Sequence, residues 1–115
     1  MTTTELSAED AKLVTLARGA RGRVAAAEGA AVRDETGRTY SGATVALDGL
    51  AISALGLAVA QASASGARGL EAAVVVRRDG GTTDDDLAAV RALGGSGVVV
   101  HVVGNDGSVL ATTTT

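Results

Sequence analysis

Asp84-Asp85-Asp86 is the densest cluster of chemically capable side chains in this 115-residue chain. Such a cluster invites a divalent cation. At a helix start, however, three successive side chains point in different directions, and no second acidic cluster accompanies them. Carboxylates there also gain about 0.3–1 kcal/mol each from the helix dipole, so a structural role accounts for them. His101 is the only histidine and sits within Val98–Val103. On a strand of period two it shares a face with Val99 and Val103. A catalytic or ligating imidazole needs partners in mutual geometry, and no Asp, Cys or second His stands at a readable spacing. The structural reading is preferred; exposed at a subunit contact, His101 would serve as a pH switch.

Two further groups carry polar or flexible character without a site. Gly94-Gly95-Ser96-Gly97 follows a helix pattern and precedes a strand pattern. That is the reverse of the strand-to-helix context in which backbone amides cradle a phosphate, so it reads as a linking loop. No glycine-rich nucleotide motif occurs among the 16 glycines. Arg18, Arg21 and Arg23 cluster at the end of the first helix pattern, where cations suit the helix dipole. Three charges form no extended patch, so a solvated face is preferred to an anion or protein contact.

Composition narrows the classes. The chain fits one domain, residues 1–115, ordered over about 6–111. Val, Leu and Ala supply nearly all the apolar mass; there is no Phe or Trp, and Tyr40 is the only aromatic residue. Small side chains bury little area each, at about 25 cal/mol per Å², which favours an oligomer as the stable state. The net charge is −3, with neither sign dominating a stretch. Nucleic acid is therefore not an expected partner, since both a basic footprint and aromatic platforms are missing. Without cysteine there are no disulfides. The N-terminus MTTTELSAED has neither the basic nor the apolar region of a signal peptide. Gly49–Ala67 is uncharged over 19 residues, but its Ala, Ser, Gly and Gln content is too weakly apolar to cross a membrane. These features predict a cytoplasmic protein that does not span a membrane.

The elements that would position the candidate residues follow from periodicity and punctuation. Thr2–Thr4 and Thr112–Thr115 read as frayed ends. Ser7 and Asp10 form a capping-box-like start for a helix over about 8–21. Val24–Arg33 and Arg38–Val45 read as strands joined by a turn at Asp34-Glu35-Thr36-Gly37, and Asp48-Gly49 closes the second. A helix over about 51–65 is apolar on nearly every side, so it should be buried on every side. One sheet can cover only part of it, and the rest should meet another subunit. Glu71–Arg78 reads as a central strand covered on both faces. Thr83 or Asp84 caps a third helix through Leu93, ended by Gly94-Gly95. Val98–Val103 is a second buried strand, Asn105-Asp106-Gly107 a turn, and Ser108–Ala111 a short last strand. The order is α-β-β-α-β-α-β-β.

Gly29–Leu55 reads GAAVRDETGRTYSGATVALDGLAISAL. Its D-x-x-G-R-x-Y-S-G hairpin around Asp34–Gly42, the distance from there to the central helix, and the strand, loop and helix of Val74–Leu93 resemble the small zinc-dependent cytidine deaminases. The resemblance covers about residues 8–111. It implies a three-layer α/β fold, a mixed five-stranded sheet with helices on both faces. It also implies homotetramers whose central helices pack together. Carried over residue by residue, the family's first zinc ligand falls on Ser53. Its P-C-x-x-C pair falls on Thr83 and Asp86, or on Asp84 or Asp85 after a one-residue shift. Its proton-shuttling glutamate falls on Leu55, and its sugar-gripping residues on Thr44 and Ala46. Hydroxyls and one carboxylate make a poor zinc site, and leucine can neither give nor take a proton.

The expectation is a catalytically inactive protein of this fold, holding no zinc and no other cofactor. It would act as an oligomeric scaffold or interaction module, a tetramer or dimer built through the second helix, with an unknown protein partner. The alternative is a zinc-independent binder of a small, nucleoside-like ligand, or an enzyme, reusing a pocket lined by Thr44, Ser53, Thr83 and Asp86. A third reading is active deamination at an atypical site.

Overall fold

The computed structural model describes residues 6–115; the expected frayed stretch Thr2–Thr4 lies outside them. Ser7 caps α1 (Ala8–Val24), its hydroxyl accepting the Asp10 amide at 3.1 Å. The helix runs to Val24 rather than stopping near Arg21, because neither Gly19 nor Gly22 ends it. Ala25 does, in a left-handed conformation at φ 51°. The following strand therefore starts later than expected, as β1 (Gly29–Asp34). β2 (Thr39–Ala43) returns antiparallel to it after the turn that Gly37 closes at φ 89°.

Two short strands, β3 (Val45–Leu47) and β4 (Leu50–Ile52), form a separate hairpin about Asp48-Gly49. The sequence reading missed it. Gly49 adopts φ 79°, so the pair turns the chain back rather than opening a helix. α2 (Ala54–Ala64) consequently begins after Ser53, which accepts the Gly56 amide at 2.9 Å, and Ile52 belongs to β4. β5 (Leu70–Val76), α3 (Asp84–Gly94), β6 (Val99–Val103) and β7 (Val109–Thr114) complete the chain. Thr83 caps α3 with a reciprocal box: its hydroxyl accepts the Asp86 amide, and the Asp86 carboxylate accepts the Thr83 amide. The expectation that Thr112–Thr115 fray is corrected. Thr112, Thr113 and Thr114 pair with His101, Val100 and Val99, and the Thr115 amide donates to Val98.

The main sheet has the order β2-β1-β5-β6-β7, with β5 and β6 parallel and the other neighbours antiparallel. Alternation divides its side chains between two layers. Ala31, Ala72, Val74, Val76 and Val103 face α1, packing on Leu13, Val14 and Ala17. Ala30, Val32, Ala73, Val75 and Val100 face α2 and α3, packing on Leu55, Ala58, Val59, Ala62 and Val90. The layer contacts are close because the residues are small. A methyl group added to Gly29 would meet the Ala17 carbonyl oxygen and, at 2.8 Å, the Arg21 Cβ.

α2 is not buried on every side within one subunit. Ala54, Leu55, Ala58, Val59 and Ala62 are inside, while Ala60, Gln61, Ser63 and Ala64 are exposed. The β3–β4 hairpin adds apolar surface, with Leu47 65 % and Leu50 51 % exposed. No helix among the described residues is long and apolar enough to cross a membrane.

Candidate functional site

The parallel β5–β6 pair points its carboxyl ends toward the starts of α2 and α3. In α/β sheets, ligands bind outside the carboxyl ends of the strands. Here a pocket of about 370 Å³ opens there, lined by Glu28, Ser53, Arg77, Asp79, Gly80, Gly81, Thr83, Asp85 and Asp86. Ser53, Thr83 and Asp86 are thus brought to one place, as the resemblance implies. Thr44 and Ala46 are not. Thr44 is tied to the loop before β1, its hydroxyl accepting the Glu28 amide at 3.0 Å and donating to the Glu28 carbonyl at 3.3 Å. Ala46 is exposed on β3. Leu55 lies in the core, 1 % exposed, facing the sheet rather than the pocket.

The pocket wall includes a buried cation absent from the sequence expectations. Arg77 follows β5 and is buried. Its Nε and Nη2 donate to the Glu28 carboxylate at 3.1 and 3.2 Å. Nη2 and Nη1 donate to Asp86 at 2.9 Å each, and Nη1 also donates to the Gly81 carbonyl at 2.7 Å. All five guanidinium N–H groups are therefore engaged. Burial raises the Asp86 carboxyl, but the Arg77 contact, then the Thr83 amide, outweigh this and hold it below the usual carboxylate range. Burial would lower the Arg77 guanidinium, yet its two carboxylates raise it above its ordinary value. The sequence signal was available: an arginine pair directly follows the apolar run Ala72–Val76 of a central strand. The partner Glu28 was not readable, since it lies 49 residues away.

Asp84 and Asp85 are exposed in the first turn of α3, where they complement its dipole; Asp85 also reaches the pocket rim. Gly94-Gly95-Ser96-Gly97 links α3 to β6, as expected. Arg18 and Arg23 are exposed on α1, and Arg21 is half-buried.

His101 has the partners that sequence could not show. It faces α1 from β6, with Nε2 2.9 Å from the Asp10 carboxylate and Nδ1 2.9 Å from the Thr112 hydroxyl. Arg33 pairs with the same Asp10 at 3.0 Å and donates to Glu71 at 2.8 Å. Burial raises the Asp10 carboxyl, and pairing with His101 and Arg33 outweighs it, leaving the group lowered. His101 is 5 % exposed. Its geometry pins α1 to the sheet.

The donor set does not suit a tetrahedral zinc ion, which takes thiolates, imidazoles or free carboxylates. The Ser53 and Thr83 hydroxyls each cap a helix. Asp86 is committed to Arg77 and to the Thr83 amide. Among the described residues, no three His, Cys, Asp or Glu side chains form a group that could hold a metal.

A family model described as cytidine deaminase-like matches residues 6–107. No curated protein matches the chain significantly. Among solved structures, the cytidine deaminase from Burkholderia pseudomallei is similar at a TM-score of 0.77 and 23 % identity, covering 95 % of this chain and 93 % of its own. That from Mycobacterium leprae gives 0.72 and 20 %, covering 95 % and 94 %. A mutant cytidine deaminase from Mycobacterium tuberculosis gives 0.68 and 20 %, covering 84 % and 85 %. At these identities the likeness concerns the fold.

Proposed function

The chain belongs to the cytidine deaminase-like family, and from that premise we propose that it is a catalytically inactive member acting as an oligomeric scaffold or interaction module. One observation carries the reading. At the position that the resemblance assigns to the proton-shuttling glutamate, Leu55 is packed into the core. Attack of water on a base needs a group there to carry protons. The ligand positions support the same reading, because their hydroxyls and carboxylate are spent on helix caps and on Arg77.

The assembly part rests on surface. Leu47 and Leu50 on the hairpin, with Ala60, Ser63 and Ala64 on α2, are exposed in one subunit. Small residues let a neighbouring helix approach closely, and a two-fold contact through α2 would cover that face. The pocket favours a second reading, a zinc-independent binder of a small, nucleoside-like ligand lined by Ser53, Thr83 and Asp86.

Elemental analysis tests the first reading: below about one-tenth of a zinc per chain is expected, and about one zinc per chain would overturn it. A melting-temperature screen against nucleosides and free bases separates the two. A saturable rise with a nucleoside selects the binder, and no response selects the scaffold.

A further inference from the structure

We infer that Arg77 is the built-in cation of this pocket, replacing a bound metal as the positive centre that ties the surrounding segments together. The inference rests on the reading that the chain holds no zinc. It goes further, because it assigns what organises the pocket instead.

Three other segments converge on the guanidinium. Glu28 comes from the loop before β1, and Arg77 itself from the end of β5. Gly81 comes from the loop before α3, and Asp86 from the first turn of α3. A divalent ion could bridge the same carboxylates, but only by displacing the guanidinium. Without a cation the two carboxylates would repel, and Asp86, only 7 % exposed, would lie poorly solvated. A planar fork of five donors satisfies both, one bidentate pair on each, as an ammonium cannot. The three positions that the resemblance gives to zinc border this same pocket. Of those three, only Asp86 carries charge, and that charge faces Arg77 at 2.9 Å.

The test is cavity rescue. Arg77→Ala removes the cation and leaves a guanidinium-sized space between Glu28 and Asp86. In chelator-treated buffer the variant should melt on the order of 10 °C or more below wild type. Low-millimolar guanidinium chloride should recover at least half of that loss, and sodium chloride at the same ionic strength should recover none. Arg77→Lys should fall between, since one ammonium cannot fork across both carboxylates. Wild type should melt identically with and without chelator. An Arg77→Ala protein as stable as wild type, or one rescued equally by sodium, would overturn the inference. Should Arg77→Ala stay unfolded in both salts, Glu28→Gln decides. It alters a half-exposed group with no other side-chain partner role, and should lower the melting temperature by a few degrees; no change would overturn the inference. A zinc-bearing wild type sinks the inactive reading as well. A zinc-free wild type with an indifferent Arg77→Ala sinks only this inference.

Discussion

At the residue scale, buried carboxylates set the behaviour of this protein in acid. Asp34 ends β1 with its side chain inside, accepting from the Thr36 amide and hydroxyl, the Arg38 amide and the Tyr40 hydroxyl at 2.7–3.0 Å. Burial alone would raise its carboxyl, but these donors bring it down to about 2. Asp10 and Asp86 are lowered in the same sense. A carboxyl whose folded pKa is depressed adds stability that is full above its unfolded value and lost as pH falls through the folded one. The melting temperature should therefore fall as pH drops from about 4 to about 2. Asp34→Asn should melt lower at neutral pH and show a shallower acid slope; an unchanged slope would remove Asp34 from this account. Leu55 poses the opposite case. A glutamate there would sit in an apolar layer without a donor or cation. Leu55→Glu should lose about 3 kcal/mol or more in urea unfolding and gain no activity. A fully stable variant would mean that the position is open to solvent.

Among the elements, close approach decides what can change. α1 lies so near β1 that Gly29→Ala should push the helix outward, for a loss of about 1–3 kcal/mol read from the denaturant midpoint. The helices and the central strands were legible, because caps and apolar runs announce them: Ser7 for α1, Thr83 for α3, Ala72–Val76 for β5. The β3–β4 hairpin was not, since Asp48-Gly49 serves equally as a strand end or a helix start until its pairing is known. The threonine-rich tail looked featureless, yet β6 supplies it with a ladder partner. The site divides in the same way. Ser53, Thr83 and Asp86 could be placed through the family resemblance. Arg77 with Glu28, and His101 with Asp10, are meetings across 49 and 91 residues of chain that only the topology makes.

For the whole molecule, the two claims are assembly and inactivity. Ala60 is exposed on α2 in one subunit, so Ala60→Arg should leave the fold intact. In a two-fold contact through α2 it would bury a charge without a partner and split the oligomer. Light scattering should give a multiple of the 11.2 kDa chain for wild type and a smaller species for the variant. A monomeric wild type at micromolar concentration would remove the scaffold reading and leave the small-ligand reading ahead. Inactivity is tested most directly by ammonia release from cytidine and deoxycytidine after incubation with excess zinc. No release above the protein-free rate is expected, because no metal-holding group stands among the described residues and Leu55 occupies the position that the resemblance gives to the proton carrier. Steady release that a chelator abolishes and zinc restores would contradict it.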